Sequence, residues 1–204
     1  MPVRTGTPSD LLVVGLGNPG TEYEGTRHNA GAEAVRVLAQ RHGGTLKTEK
    51  RLHASMGEVL VDGKRIMLAS PLTYMNESGR AVAALTRRAG MESAEVWASR
   101  LVVMHDELDL PSGRVKIKSG GGTAGNNGLK SIHQHLHTDG YLRVRIGIGK
   151  PPGRQSGADF VLRRPGATEK ATLEVAYNVA ADAVEALADI GLERAMNQVN
   201  GAAT

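Results

Sequence analysis

The sequence contains no cysteine. Disulfides, thiolate metal sites and cysteine nucleophiles are thereby excluded, and a cytoplasmic location is the simplest expectation. Aromatic residues make up only 3% of the chain, with one Trp, one Phe and four Tyr. A base-stacking platform for nucleic acid is therefore not expected, and any grip on a polynucleotide falls on its phosphates. No apolar run approaches the ~18 residues that a membrane span needs. Residues 1–10 are polar, carry Pro2, Gly6 and Pro8, and lack the apolar core of a signal peptide; they read as a flexible lead to the first strand. No Gly-x-Ser-x-Gly pattern occurs, which disfavours a serine esterase.

What is present is an ordinary globular composition, with 40% hydrophobic and 23% charged residues over 204 positions. That length suits one domain, expected over residues 11–200, with no linker or internal repeat. The formal charge of +4 is unevenly spread. Residues 111–170 carry eleven Lys or Arg against three Asp or Glu, whereas residues 171–204 carry one Arg against five acids. The positive excess thus sits in one segment, which can face a polyanion or simply form a solvated basic face.

Periodicity predicts an α/β layer fold: a single domain with a mixed, mostly parallel central sheet flanked by helices. Residues 11–16 and 101–104 are continuous apolar runs, as expected of strands covered on both faces. Asp62-Gly63 between apolar runs at 54–61 and 65–69 signals a hairpin. Residues 114–118 and 141–148 read as strands, the first with one basic face and the second with Arg143 and Arg145 on one side. Helices are expected at about 27–41, from Asn76 or Ser78 to 88, at 129–136, 168–190 and 192–199, with a Pro/Gly-rich loop at 149–157.

Several constellations can carry chemistry. Gly15-Leu16-Gly17-Asn18-Pro19-Gly20 matches the dinucleotide-binding pattern, but Pro19 and residues 21–25 delay the helix whose N-terminus would meet a pyrophosphate. His28 stands where that loop becomes a helix. A helix N-terminus disfavours the imidazolium, so His28 is expected to be neutral and able to take a proton from water. Asp106, Glu107 and Asp109 follow a buried strand, the end at which α/β sites gather. One of these acids can hold the His28 imidazole; alternatively, the three can bind Mg²⁺. His133, His135 and His137 suit a solvated helix C-terminus better than a metal. Asn18, Asn76 and Asn127 each sit beside a glycine or a helix start; singly they suit turns and caps, and together they can serve a peptide-like substrate.

Taken in order, Gly15-Leu16-Gly17-Asn18-Pro19-Gly20 with Tyr23, Thr26-Arg27-His28-Asn29-Ala30-Gly31, Thr73-Tyr74-Met75-Asn76-Glu77-Ser78-Gly79, His105-Asp106-Glu107-Leu108-Asp109-Leu110-Pro111, Asn127-Gly128-Leu129-Lys130 and Arg145-Ile146-Gly147-Ile148-Gly149 resemble the bacterial peptidyl-tRNA hydrolases. The resemblance runs from Leu11 to about Val199. It implies hydrolysis of the ester joining a peptide to the terminal ribose of tRNA, which recycles tRNA from aborted translation. It assigns His28 as the catalytic base, Asp106 as the acid that orients it, and Asn18 as a residue that helps distinguish blocked from free aminoacyl ends. It further implies that Asn76 and Asn127 hold peptide backbone and water, that Tyr23 and Tyr74 line the cleft, and that Lys116, Lys118 and Arg145 contact tRNA phosphates. It implies no metal, no cofactor, no membrane and no obligate protein partner, in a monomer. A catalytically silent RNA-binding relative of the same fold is the alternative. The chain departs from the common pattern at Asn126, where many relatives have His, and at Thr123-Ala124, where the usual loop has Gly and His. The resemblance therefore assigns no histidine role there.

Overall fold

The computed structural model describes residues 9–202. Residues 1–8 of the expected flexible lead lie outside that range. Its last two residues are tied down: the Asp10 N–H donates to the Arg65 carbonyl at 2.8 Å, the Asp10 carboxylate accepts from the Arg65 N–H at 2.8 Å, and Arg100 donates to the carbonyls of Ser9 and Asp10.

Among the described residues seven strands form one sheet: β1 (Leu11–Gly15), β2 (Lys47–Glu49), β3 (Ala54–Val61), β4 (Lys64–Pro71), β5 (Leu101–Glu107), β6 (Val115–Ser119) and β7 (Leu142–Gly147), in the order β2-β3-β4-β1-β5-β7-β6. The expected mixed sheet is present. Its parallel part is the central set β4-β1-β5-β7, and the three ladders toward the edges are antiparallel. The fully buried strands β1 and β5 contain the continuous apolar runs, since central parallel strands meet helices on both faces; β5 continues past its run through His105, Asp106 and Glu107.

Among the described residues seven α-helices cover the sheet: α1 (Ala30–Arg41), α2 (Ser78–Arg88), α3 (Ala94–Arg100), α4 (Asn127–Leu136), α5 (Gly157–Val161), α6 (Ala167–Ile190) and α7 (Leu192–Gly201). Alternation along each strand sends residues to opposite faces. Leu11, Val13, Val102 and Met104 join the core shared with α1, α6 and α7, whereas Leu12, Val14, Leu101 and Val103 join the core beneath α2 and α4. The helix expected from residue 27 begins as a 3-10 turn, Arg27–Asn29, and becomes α-helical at Ala30. The loop expected at 149–157 ends one residue early, where Ser156 caps α5 by accepting from the Asp159 N–H.

The glycines at the end of β1 have a packing role. A Cβ on Gly15 would lie 2.2 Å from the Gly31 carbonyl oxygen, and one on Gly31 would lie 2.1 Å from that of Met104. Helix α1 therefore rests directly on the backbone of β1 and β5. This close approach sets the depth of His28 against the end of β5.

Candidate active site

The C-terminal ends of the parallel strands open into a cleft of about 490 Å³. The two helical layers meet there. The turn that leads α1 comes from one face of the sheet and the start of α4 from the other. His28, Asp106, Asn18, Tyr23, Tyr74, Asn76 and Asn127 all line the cleft, so seven sequence-predicted site residues from four separate segments converge. Lys116, Lys118 and Arg145 lie outside its lining.

Each residue of the Arg27–Asn29 turn reaches a different element. The Arg27 guanidinium makes two bonds to Glu169 of α6, at 2.7 and 2.5 Å, and stacks 4.1 Å over the Phe160 ring of α5. The His28 Nδ1 lies 2.9 Å from Asp106 Oδ2 at the end of β5. The Asn29 carboxamide grips the backbone of Asn18, accepting from its N–H at 2.8 Å and donating to its carbonyl at 3.0 Å. The turn is thereby fixed on three sides.

The His28–Asp106 pair is buried, at 9% and 5% exposure. Burial opposes the imidazolium, but the charge of Asp106 and its hydrogen bond outweigh burial and lift the His28 pKa above its usual 6.5. The shift runs opposite to the one expected from the helix start: the carboxylate at contact distance dominates a partial dipole charge. With Nδ1–H donating to Asp106, Nε2 is the nitrogen left to accept a proton.

The Asn18 Oδ1 accepts from the Met75 N–H at 2.7 Å, so its amide nitrogen is left as a donor. The carboxamides of Asn76 and Asn127 are exposed and have no protein hydrogen-bond partner among the described residues. Tyr23 and Tyr74 form an edge-to-face pair with ring centroids 6.4 Å apart.

The three acids considered for Mg²⁺ diverge. Asp106 faces His28, Glu107 accepts from Arg145 Nε at 2.9 Å, and Asp109 pairs with Lys150 at 3.4 Å. The histidines of α4 diverge as well. His133 meets Arg143 at 3.2 Å, His135 bonds the Ser131 carbonyl, and His137 caps the helix in a left-handed conformation.

The basic face is real but divided. Antiparallel register sets Lys116 opposite Arg145 and Lys118 opposite Arg143 on the edge strand β6 and its neighbour. Lys116 and Arg145 are half-buried and Lys118 is exposed. Arg143 is buried and donates to the carbonyls of Gly121 and Gly122, beneath the ring of Tyr141. Desolvation holds the Arg143 pKa below its usual value and raises that of Tyr141 to about 12.

Asn126 was not expected in the site from its sequence position. Its Nδ2 donates to Asp106 Oδ1 at 3.0 Å. Asn29 was likewise missed as the clamp on Asn18. The partners of both are distant in sequence, and an asparagine beside a helix start otherwise reads as a cap.

Residues 12–204 match the family model described as peptidyl-tRNA hydrolase. The chain is 51% identical over 189 residues to a peptidyl-tRNA hydrolase of Nocardia farcinica, covering 93% of this chain and 95% of that one. The chain belongs to the peptidyl-tRNA hydrolase family. A second relative, the peptidyl-tRNA hydrolase of Rhodococcus erythropolis, is 47% identical, with 93% of this chain and 97% of that one covered. Among solved structures, peptidyl-tRNA hydrolase from Acinetobacter baumannii superposes with a TM-score of 0.86 at 36% identity, over 96% of this chain and 97% of that one. Family membership carries the enzyme class, a hydrolase acting on the peptidyl-tRNA ester, and agrees with the seven-stranded mixed sheet.

Proposed function

We propose that this family member cleaves peptidyl-tRNA by general-base activation of water at His28. The observation that carries the reading is the His28–Asp106 pair in the cleft, with Nδ1 committed to the carboxylate at 2.9 Å and Nε2 left as the base. Water loses its proton to Nε2 as its oxygen bonds to the ester carbonyl carbon. The ester C–O bond then breaks, and the ribose oxygen leaves with the proton that His28 returns. Asp106 fixes the tautomer and steadies the imidazolium that forms between the two steps. The Asn18 amide nitrogen, oriented by the bond from Met75, is suited to the developing oxyanion. Asn76 and Asn127 offer free carboxamides to peptide backbone and water, and the Tyr23–Tyr74 pair supplies an apolar wall.

Lys116, Lys118 and Arg145 are taken as the tRNA phosphate contacts. Arg145 reaches the cleft wall through Glu107, so the basic strip starts beside the chemistry. The reading takes residues 11–200 as one domain acting as a cytoplasmic monomer, without cofactor or obligate protein partner. No helix among the described residues is long and apolar enough to cross a membrane.

The test is turnover of a defined N-blocked aminoacyl-tRNA beside its unblocked form. The blocked substrate is cleaved preferentially by the wild type. His28→Ala loses ~10²–10⁴-fold in kcat, the usual contribution of a positioned base, while tRNA binding persists. Binding without turnover by the wild type would make the chain a silent RNA-binding relative.

A further inference from the structure

We infer that Asn126 is a positioning residue for the reaction, one that holds the Asp106 carboxylate from the side opposite His28. The inference rests on His28 and Asp106 being the working pair proposed above.

Two sets of bonds meet in one carboxamide. Asn126 Oδ1 accepts from the backbone N–H groups of Gly128 and Leu129, at 2.9 and 3.1 Å, and so caps α4. Those N–H groups can only donate, which fixes the oxygen toward the helix and the amide nitrogen toward Asp106 Oδ1, 3.0 Å away. Asp106 Oδ2 meets His28. The carboxylate is thus held at both oxygens, by a residue from each helical layer, and its torsion is set by α4 as much as by β5. Asn126 is itself anchored, since its N–H donates to the Thr123 carbonyl at 2.9 Å and its carbonyl accepts from the Lys130 N–H at 3.1 Å. A cap alone needs only the oxygen: Ser and Asp cap as well as Asn does. An ionised Asp has no donor to face Asp106, and the shorter Ser keeps its single hydroxyl at the helix N–H groups without the amide nitrogen that reaches Asp106, so substitution separates the two roles.

Asp106 acts on the titratable groups of His28 from the turn before α1, His105 beside it on β5 and Tyr177 from α6. From α4 the contact is the uncharged Asn126 amide. A carboxylate introduced at that position is therefore a new charge against the pair.

The experiment uses the full chain with Asn126→Asp and Asn126→Ser. The His28 imidazole is titrated by NMR without tRNA, and kcat and KM are measured across pH on the N-blocked aminoacyl-tRNA. Both variants keep the cap; Asn126→Ser melts near the wild type, and Asn126→Asp melts lower because its carboxylate faces that of Asp106. In Asn126→Asp the second carboxylate moves the His28 titration to higher pH. Its kcat at neutral pH falls about tenfold, the scale of one coupling in a hydrogen-bonded network, and recovers as the pH is raised. In Asn126→Ser kcat falls with KM unchanged, and higher pH does not restore it. Wild-type kcat in both variants, with an unmoved His28 titration in Asn126→Asp, would reduce Asn126 to a cap and overturn the inference. Should Asn126→Asp fail to fold, the division between kcat and KM in Asn126→Ser decides. The titration needs no substrate, so absence of turnover by the wild type would remove the functional reading while the Asn126–Asp106–His28 coupling is still read directly.

Discussion

At the scale of single residues, His28 works against two opposed effects. Burial disfavours its protonated form and Asp106 favours it, with Asp106 prevailing. The proposed base must be unprotonated to act, so kcat is expected to rise with pH as His28 loses its proton, with a midpoint above the usual 6.5. Asp106→Asn removes the charge that prevails and leaves burial unopposed. The acid limb then moves to lower pH even as the plateau rate falls, because the tautomer and orientation of the ring are lost. A pH–rate profile of the two proteins checks both signs, and an acid limb that moves upward in Asp106→Asn would contradict the pairing. The same raised pKa links to stability. The folded state binds the His28 proton more tightly than the unfolded chain, so this contribution is complete below about pH 6.5 and is lost as pH rises through the folded-state value.

At the scale of elements, the chemistry depends on how closely α1 lies on the sheet. Gly31→Ala would put a methyl group 2.1 Å from the Met104 carbonyl oxygen and 2.6 Å from the Leu16 nitrogen, both backbone atoms that cannot retreat independently. Such overpacking costs about 1–3 kcal/mol. It also lifts His28 from Asp106, so kcat is expected to fall more than KM rises, as steady-state kinetics beside urea denaturation will show. The β6–β7 edge behaves differently. Lys116→Ala and Lys118→Ala leave the His28–Asp106 geometry intact, and each is expected to raise KM and flatten the salt dependence of tRNA binding by about 0.7–0.9 in log–log slope. The elements legible in the sequence were those whose signal is local. Strand β1 and the first four residues of β5 are unbroken apolar runs, and Asp62-Gly63 marks the β3–β4 hairpin. Strand β2 is three exposed residues with no alternation to detect, and α3 is two turns with no fully buried residue. Five-residue α5 is stabilised by Arg27, more than a hundred positions away. The candidate site divides in the same way. His28 and Asp106 show through residue type at the ends of elements, whereas Asn29, Asn126 and Arg143 act through contacts that only the fold creates.

At the scale of the molecule, the site is a seam between two helical layers, and its rigidity comes from contacts that cross the whole chain. The C-terminal part of the chain contributes to this through Glu169, in the first turn of α6. Its two bonds to Arg27 tie the start of α6 to the turn that carries His28, and Arg27 also donates to the carbonyls of Phe160 and Arg163. The Arg27 side chain is 9% exposed and that of Glu169 25%, so the guanidinium is the member that has given up water. Glu169→Gln removes the negative charge but keeps the size, leaving a desolvated cation with neutral partners only. Loss of charge-assisted hydrogen bonds of this kind costs about 1.5–3 kcal/mol, with the lower part of that range expected because Glu169 is partly solvated. Urea denaturation should show the midpoint falling with little change in slope, since the surface exposed on unfolding is the same. The His28 turn is anchored by the same pair, so kcat should fall while KM for tRNA, proposed to depend on Lys116, Lys118 and Arg145, holds. An unchanged midpoint would mean that Phe160 and the two carbonyls suffice to hold Arg27, and that the C-terminal helices steady the site through packing alone.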